Sequence, residues 1–335
     1  MTKGSTALII GATGGIGGEV ARVLVARGWK VRGLHRDPDA ARRRRGDAAI
    51  EWVAGDAMDA EAVRRAAAGA ALIFHGANPP GYRNWAGLAL PMLDNTIAAA
   101  KAVGARIVFP GTVYNFGPET FPLVGEDAPQ RPLTRKGKIR TEMEARLERA
   151  AMTGTPVLLV RAGDFFGPSV GNSWFGQGIV KPGKPVRSLT YPGRREIGHD
   201  WAYLPDLAET FARLIERGDE LPPFARFHFR GHFFERGVEI AEAVRDVVGW
   251  PALPIRGFPW PVFYLAAPFV ETFREVLEMR YLWKERLELD NRRLVAFLGE
   301  EPHTPLDQAI TSTLAGLGCL ESAPDATKPL DPARA

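Results

Sequence analysis

The feature that most constrains this chain is a glycine-rich turn directly after its first apolar run. Residues 6–10 lead into Gly11, Gly14 and Gly17. Glycines at this spacing permit a sharp exit from a strand, close approach of a pyrophosphate to bare backbone, and tight helix–strand packing. The pyrophosphate would then lie on free N–H groups at the positive end of a helix. The turn therefore predicts a bound dinucleotide, and its predicted contacts are Gly11, Thr13, Gly14, Gly15, Ile16 and Gly17.

The first 161 residues alternate short apolar runs with longer helix-like stretches. The apolar runs cover residues 6–10, 30–34, 50–53, 71–75, 106–109 and 156–160, and the helix-like stretches cover 15–27, 59–68, 84–103 and 134–151. This alternation is typical of β-α-β units, which place helices on both faces of a parallel sheet and gather the loops that follow strands at one edge. We predict an α/β protein with a Rossmann-type, doubly wound parallel sheet.

The regular alternation stops after residue 161. Further helices are predicted at 204–217, 238–248, 261–281, 291–298 and 305–317, and a strand at 225–230. We expect residues 1–170 to form the dinucleotide-binding domain and 171–320 a smaller, interleaved C-terminal substrate-binding domain. Two segments of the latter, 196–217 and 225–230, are expected to pack back on the first domain. Residues 321–335 are rich in Pro, Ala and Asp, and we predict that they are disordered.

Composition argues against several classes of protein. The single cysteine, Cys319, leaves no disulfide framework and no cysteine-rich metal site, which suits a reducing compartment. We therefore predict no metal. Because no signal-like segment precedes the first strand, a cytoplasmic location is predicted. The longest apolar stretch, 260–270, contains two prolines and is far shorter than the roughly 20 residues of a membrane span. We predict no span and interpret this stretch as a buried helix or pocket wall rather than a membrane-surface patch.

The net charge is only +4, and the one basic run, residues 42–45, has no interleaved aromatic residues. We therefore predict no nucleic-acid partner. The run is interpreted as a solvated helix face, with a supporting role near a cofactor phosphate as the alternative.

The end of the second predicted strand bears on the choice of cofactor. NAD-specific proteins place an acid there, because a carboxylate binds the ribose 2′-hydroxyl. This chain has His35-Arg36-Asp37 instead. A guanidinium suits a 2′-phosphate, and Asp37 comes late for the NAD role. We predict that NADP is preferred over NAD and that His35 and Arg36 are contacts, with Arg36 as a plain surface charge as the alternative.

Several segments, in order along the chain to about residue 317, resemble the extended short-chain dehydrogenase/reductase family, which contains sugar-nucleotide epimerases and dehydratases. Besides the glycine turn they are Gly55-Asp56, His75-Gly76-Ala77, Asp94-Asn95-Thr96, Val113-Tyr114, the segment from Arg161 to Pro168, Leu204-Pro205-Asp206-Leu207-Ala208 and Pro302-His303-Thr304-Pro305-Leu306. The resemblance implies cofactor contacts at Asp56, Ala57, Ala77 and Asn95, the first of them to adenine.

The catalytic pattern of that family is not matched. Its chemistry uses a Ser or Thr, a Tyr and a Lys, with Tyr and Lys four residues apart on one helix face. None of the six tyrosines here has a lysine four residues later. By resemblance, Lys136 falls at the Tyr position, Arg140 at the Lys position and Pro110 at the Ser position. This implies a rebuilt proton-transfer group.

The predicted catalytic residues are Thr112, Tyr114, Lys136 and Arg140. Lys136 and Arg140 lie one helical turn apart, so both are expected to point into the cleft. There Arg140 would hold the cofactor ribose, and burial together with a second cation would lower the pKa of the lysine. A solvated lysine and purely structural roles for Thr112 and Tyr114 are the alternatives. For His199 there are two predictions: its side chain faces the cleft, or, as the preferred interpretation, it packs within the second domain.

The sequence therefore predicts an NAD(P)-dependent oxidoreductase, epimerase or dehydratase. The alternative is a non-catalytic NAD(P)-binding regulatory or interaction protein. Its small-molecule partner is either a sugar nucleotide, for which Lys184, Arg194 and Arg195 could bind the diphosphate, or an apolar ligand. An apolar ligand is favoured by the aromatic residues of the second domain, which are Trp174, Phe175, Phe258, Trp260, Phe263 and Tyr264. The resemblance also implies a possible homodimer, through the helices that follow the third and fourth strands.

Overall fold

The computed structural model describes residues 4–46, 48–79, 84–171 and 173–320. Their strands are β1 (Thr6–Ile10), β2 (Lys30–His35), β3 (Ile50–Ala54), β4 (Ala70–His75), β5 (Arg106–Thr112), β6 (Leu123–Val124), β7 (Val157–Ala162), β8 (Asp164–Phe166), β9 (Leu189–Tyr191), β10 (His199–Tyr203), β11 (Phe224–Phe229), β12 (His232–Phe234), β13 (Ile255–Gly257) and β14 (Glu288–Leu289). The helices are α1 (Gly15–Ala26), α2 (Pro38–Arg45), α3 (Ala60–Ala66), α4 (Trp85–Val103), α5 (Arg135–Met152), α6 (Leu204–Glu216), α7 (Glu239–Val248), α8 (Trp260–Ala266), α9 (Glu271–Glu278), α10 (Arg292–Leu298) and α11 (Leu306–Gly316).

Seven strands form the central sheet, in the order β11-β7-β5-β4-β1-β2-β3, and all of its pairs are parallel. The last residue of β1, Ile10, lies opposite Leu34 of β2 and His75 of β4. The carboxyl ends of these strands therefore meet at one edge of the sheet. This arrangement confirms the predicted Rossmann-type α/β fold.

Both faces of the sheet are covered, and β1 shows why its sequence is a continuous apolar run. Ala7 and Ile9 pack into the core beneath α1 and α6, whereas Leu8 and Ile10 pack into the core beneath α3, α4 and α5. Side chains alternate between the two faces of a strand, so a strand buried on both sides is apolar at every position.

Three helices of the first half, α2, α3 and α5, begin at residues whose side chains cap free backbone amides. The Asp59 carboxylate accepts from the backbone N–H groups of Glu61 and Ala62, and the Thr134 hydroxyl accepts from that of Gly137. The basic run at 42–45 forms the last turn of α2, with Arg42, Arg43 and Arg44 exposed. This confirms its interpretation as a helix face.

Short strands and helices after β7 form the second part of the molecule. Strands β8, β10 and β12 make a three-stranded sheet, and two-stranded pairs join β9 to β13 and β6 to β14. The strand predicted at 225–230 is β11, which extends the central sheet beside β7. The domain boundary near residue 170 stays a prediction, and the predicted disordered tail, 321–335, lies outside the described residues.

The single helix predicted over 261–281 is wrong. Helix α8 ends at Ala266, α9 begins at Glu271, and a 3-10 turn, Met279–Trp283, follows. Pro268 has no backbone N–H to continue the helix, and Val270 is extended (φ −124°, ψ 108°). The interpretation of 260–270 as buried is also only half right, because Leu265 and Phe269 are 78% and 90% exposed.

Within the described part of the chain, we find no helix that is both long and apolar enough to cross a membrane.

Candidate cofactor and substrate site

The glycine turn has the backbone geometry that its sequence predicts. Gly11 adopts φ +93°, and a Cβ there would lie 2.7 Å from the backbone carbonyl of Gly76. At Gly17 a Cβ would lie 2.4 Å from the Gly11 carbonyl oxygen, because α1 packs directly on the turn. These two glycines are therefore required by the fold itself.

Gly14 differs from these two glycines. A Cβ there would meet only the Gly11 carbonyl oxygen, at 3.2 Å, and Gly14 is exposed. Gly14 is also the N-cap of α1, with no side-chain cap and no acidic residue in the first turn of the helix. Bare amides at a positive helix end, without a competing carboxylate, fit a pyrophosphate. The residues present thus fit a dinucleotide cofactor.

The end of β2 is arranged by a local hydrogen-bond network. The Asp37 backbone N–H donates to His35 Nδ1 (3.0 Å), and the Asp37 carboxylate caps α2 by accepting from the Ala40 N–H (2.9 Å). The Ala40 hydrogen bond is the main cause that lowers the pKa of Asp37. Arg36 is exposed beside them. The Asp37 carboxylate is thus already engaged, and Arg36 is the free charged group at this strand end.

The predicted contacts near β3 support one another. The Asp56 carboxylate accepts from the Met58 N–H (2.9 Å), and the Asn95 side chain on α4 donates to the Ala57 carbonyl (2.9 Å). All three predicted residues, Asp56, Ala57 and Asn95, are half-buried. Their cofactor contacts stay predictions.

A cavity of about 340 Å³ lies at the carboxyl edge of the sheet. Its floor includes Ile16 of α1 and Ala77 after β4, and its opposite wall comes from residues of the second part, including α8 and α9. Among the predicted catalytic residues, Thr112, Tyr114 and Arg140 line the cavity. The site thus joins the first turn of α1 to the hydroxyl groups after β5.

Arg140 lies at the floor between two aromatic rings. Its guanidinium is 5.2 Å from the ring centroid of Trp85 and 5.6 Å from that of Phe109, and it donates a long hydrogen bond to the Pro110 carbonyl (3.5 Å). Its charge is thus held at the floor of the cavity by rings and backbone.

Lys136 is placed differently from the sequence prediction. It is buried but does not line the cavity; its ammonium donates to the carboxylate and the main-chain oxygen of Glu275 on α9. Burial lowers its pKa, and the Glu275 contact opposes that shift. The expected orientation of Lys136 and Arg140 into one cleft is therefore wrong for Lys136, because the face of α5 that carries it is covered by α9.

His75, at the end of β4, belongs to the segment His75-Gly76-Ala77, but the sequence does not predict it as a site residue. Its Nδ1 lies 2.7 Å from the Thr96 hydroxyl, which itself donates to the Met92 carbonyl. Nδ1 therefore carries the proton, and Nε2 is an acceptor without a hydrogen-bond partner among the described residues. Burial, helped by Arg140, lowers the pKa of His75 to about 3. The cavity is thus lined by a neutral imidazole.

A second pair missed by the sequence reasoning joins Asp164 and His199. Asp164 lines the cavity, and its carboxylate lies 2.7 Å from Nε2 of the nearly buried His199. The imidazole stacks on Trp283 at 4.2 Å. Asp164 comes two residues after the end of β7, at the ligand edge of the central sheet, and an acid at that place is the signal that could have identified it.

The three cations expected to bind a diphosphate, Lys184, Arg194 and Arg195, are exposed and do not line the cavity. Of the aromatic residues named from the sequence, Trp174, Phe258 and Phe263 line it, whereas Phe175, Trp260 and Tyr264 do not.

The fold and this site define a dinucleotide-binding α/β protein. The sequence model of the NAD dependent epimerase/dehydratase family matches residues 7–227, so the chain belongs to that family. This confirms the resemblance seen in the sequence. No curated protein matches the chain.

Solved structures show the same fold at low identity. UDP-glucose 4-epimerase from Bifidobacterium longum, in complex with NAD+ and UDP, has a TM-score of 0.70 and 16% identity, over 92% of this chain and 97% of that one. UDP-glucuronic acid 4-epimerase from Bacillus cereus, in complex with UDP-glucuronic acid and NAD, has a TM-score of 0.72 and 13% identity, over 93% and 98%. A putative epimerase from Burkholderia cenocepacia J2315 has a TM-score of 0.71 and 18% identity, over 95% and 99%.

Proposed function

We propose that the chain is an NAD(P)-dependent enzyme of the oxidoreductase, epimerase or dehydratase type. One observation carries this proposal: a single cavity is lined both by Ile16, from the first turn of α1, and by the side chains of Thr112, Tyr114 and Asp164. A bound nicotinamide supplies or accepts a hydride. The chain's own groups would orient a substrate oxygen and exchange its proton.

Each residue at the floor has a role that its contacts support. Arg140 keeps its charge at any working pH, so it suits the anchoring of ribose hydroxyls. Thr112 and Tyr114 line the cavity, so we assign their hydroxyls to the substrate oxygen; Asp164, which also lines it, is paired with His199. Lys136 is not assigned to proton transfer, because its ammonium is bound to Glu275.

Cofactor binding is tested with Gly14→Val, measured by the fluorescence of bound NADH or NADPH. The extra methyl groups extend into the space proposed for the pyrophosphate, so we expect affinity to fall at least about 100-fold with unchanged circular dichroism. Gly125→Val is the matched control, since nothing lies within 4 Å of a Cβ at Gly125. Unchanged affinity in the Gly14 variant would contradict the proposal.

We further propose that NADP is preferred over NAD, although the similar structures from Bifidobacterium longum and Bacillus cereus are complexes with NAD. Support comes from Arg36, which is exposed at the end of β2, and from Asp37, whose carboxylate caps α2. Arg36→Ala should weaken NADPH binding by about 1.5–3 kcal/mol and leave NADH binding unchanged. Equal affinities for both cofactors in wild type would overturn the preference.

A non-catalytic binder is the second candidate, favoured by the absence of a Tyr–Lys pair in α5, where the chain has Lys136 and Arg140. The two candidates differ in one measurement. An enzyme oxidises bound NADPH when a suitable carbonyl ligand is added, whereas a binder holds both without change in the absorbance of NADPH.

A homodimer and a cytoplasmic location also stay proposals. The helices that follow the third and fourth strands are α3 and α4. Glu61 and Arg64 form an exposed ion pair on α3, and none of the large exposed hydrophobic residues lies on either helix. A dimer through these helices would therefore be polar. Light scattering coupled to gel filtration at two salt concentrations tests it, because a monomer at both concentrations would contradict it.

A further inference from the structure

We propose that the cavity binds an apolar, uncharged molecule with one hydroxyl or carbonyl group, and not a nucleoside diphosphate sugar. This inference rests on the proposed function, since it assigns the floor near Ile16 and Ala77 to the cofactor and the remaining volume to the substrate.

The substrate side of the cavity is made of aromatic rings that hold one another in place. The Trp174 ring lies 5.5 Å from the Phe258 ring and 5.2 Å from the Trp283 ring. The rings of Phe263 and Phe273, from α8 and α9, lie 4.4 Å apart. Rings packed at these distances form a rigid wall that presents apolar surface to a ligand.

The charges that line the cavity argue against a diphosphate. In the described ranges Arg140 is the single cation of the lining, and it lies at the cofactor side, against Trp85 and Phe109. The substrate side carries the Asp164 carboxylate instead. A diphosphate there would lose its hydration without gaining a cation and would be repelled by a like charge, which selects against it.

Apart from His75 and Arg140, the polar side chains of the lining are those of Asn78, Thr112, Tyr114, Asp164, Ser173, Gln177 and Thr272. Asp164, oriented by His199, can accept a hydrogen bond, and Thr112 can donate one; both line the cavity. Ser173 and Gln177 add side-chain donors at the wall. A small set of convergent polar groups in an apolar pocket fixes the orientation of a ligand with a single oxygen function.

The experiment uses the full chain with saturating NADPH and an uncharged fluorescent probe, N-phenyl-1-naphthylamine. We expect the emission of the probe to rise on binding and to fall again when decan-2-one displaces it, with UDP and UDP-glucose having no effect at tenfold higher concentration. Displacement by UDP-glucose at a lower concentration than decan-2-one, or no binding of the probe, would overturn the inference.

Two arginine substitutions on α8 distinguish an effect on the cavity from an effect on the helix surface. Phe263→Arg places a cation in the apolar wall and should weaken probe binding at least tenfold. Val262→Arg is the matched control, because Val262 is 54% exposed and does not line the cavity. Equal losses in both variants would also contradict the inference.

A smaller change covers the case in which Phe263→Arg fails to fold. Asp164→Asn removes the charge with almost no change in shape, and UDP-glucose should still fail to displace the probe, because the wall gains no cation for the diphosphate. If Asp164→Asn instead allows UDP-glucose to displace the probe, charge alone excluded the diphosphate and the apolar-ligand inference is wrong.

NADPH binding is measured separately by its own fluorescence. If NADPH does not bind, the proposed function fails. If NADPH binds and the probe does not, only the substrate inference fails.

Discussion

The two sides of the cavity are built in different ways. The floor comes from the first turn of α1 and from the ends of β4 and β5. The central sheet beneath it is fully buried at residues such as Leu8 and Phe74. The opposite wall comes largely from the segment of α8, α9 and the turn after them, where Phe263 faces the cavity and Leu265 is 78% exposed. The residues of the floor are held in place by neighbours on all sides. Those of the wall are held by neighbours on one side only.

This difference indicates which part of the site can change its side chains without disturbing the fold. Helix-and-sheet packing leaves little freedom at the floor, so it suits a cofactor shared by a whole family. A wall that packs on one face only can change its side chains without cost to the sheet, which suits the choice of substrate.

The largest predicted effect is a loss of stability on removal of a buried ion pair beside the central sheet. Arg161 on β7 is fully buried and donates two hydrogen bonds to Glu144 of α5, at 3.0 and 2.6 Å, and one to the Glu126 carbonyl. Arg161→Leu leaves the Glu144 carboxylate buried without its cation. We expect a loss of about 3–5 kcal/mol in the free energy of unfolding, measured with urea.

Two variants test the cause of that loss. Arg161→Leu combined with Glu144→Leu should recover part of it, since no charge then remains unpaired. Arg64→Leu is the control, because Arg64 pairs with Glu61 on the exposed face of α3 and its loss should leave the urea midpoint unchanged. A double variant less stable than Arg161→Leu would contradict the explanation.

The floor could be predicted from the sequence because its signals are local and repeated. Strands buried on both faces form continuous apolar runs, and the helix predicted at 84–103 is α4, Trp85–Val103. Strands of two or three residues, such as β6 and β14, are too short to produce a period. Pro268 by itself indicates a break in the helix, but the apolar residues on both sides of it favour a single continuous helix.

The next prediction concerns the contact between floor and wall. Lys136 of α5 bonds to Glu275 of α9, so Lys136→Met should release α9 and lower the free energy of unfolding by about 2 kcal/mol. Hydrogen exchange should become faster in peptides from α9 and stay slow in β1. If Lys136 were instead the proton donor, turnover would be lost with exchange in α9 unchanged.

Arg135→Met provides the matched control for Lys136. Arg135 contacts the same Glu275 carboxylate at 2.6 Å, but its side chain is 67% exposed. Its removal should therefore change exchange in α9 far less than Lys136→Met does. Equal effects would show that burial of Lys136 is not what holds the wall in place.

The candidate site was only partly predictable, for a physical reason that Lys136 illustrates. Helical spacing places Lys136 and Arg140 on one face of α5, but it does not show which element covers each end of that face. The pair of Asp164 and His199 is separated by 35 residues and forms only because β8 and β10 are neighbours in a small sheet. The glycine turn could be predicted because all of its residues are neighbours in the sequence.

A pH dependence distinguishes the buried floor from its surroundings. The folded pKa of His75 is lowered to about 3 by burial, whereas the ordinary value is 6.5. The unfolded chain therefore takes up a proton below pH 6.5 that the folded chain refuses, so His75 contributes stability above that pH and loses it as the pH falls toward 3. The expected slope is about 1.4 kcal/mol per pH unit.

The measurement compares urea unfolding of wild type and His75→Asn between pH 7.5 and 4.5. The slope of the unfolding free energy against pH should be smaller in the variant by the equivalent of about one proton. Contributions from other groups cancel when the two slopes are subtracted. His228→Asn should behave alike, since burial and Arg161 lower the pKa of His228 to about 3 as well. Parallel curves for wild type and both variants would mean that these imidazoles are charged in the folded chain.

The smallest predicted effect lies on the outer face of the wall. Phe269, between α8 and α9, is 90% exposed, so Phe269→Ser should change the free energy of unfolding by less than about 0.5 kcal/mol. Phe175→Ser is the contrast, because Phe175 is fully buried against Phe166 and Trp201 and its truncation removes packed surface. If Phe269→Ser destabilises the protein as strongly, this face must be covered in solution. The melting temperature of wild type would then rise with protein concentration, as mass action requires for a second copy of the chain.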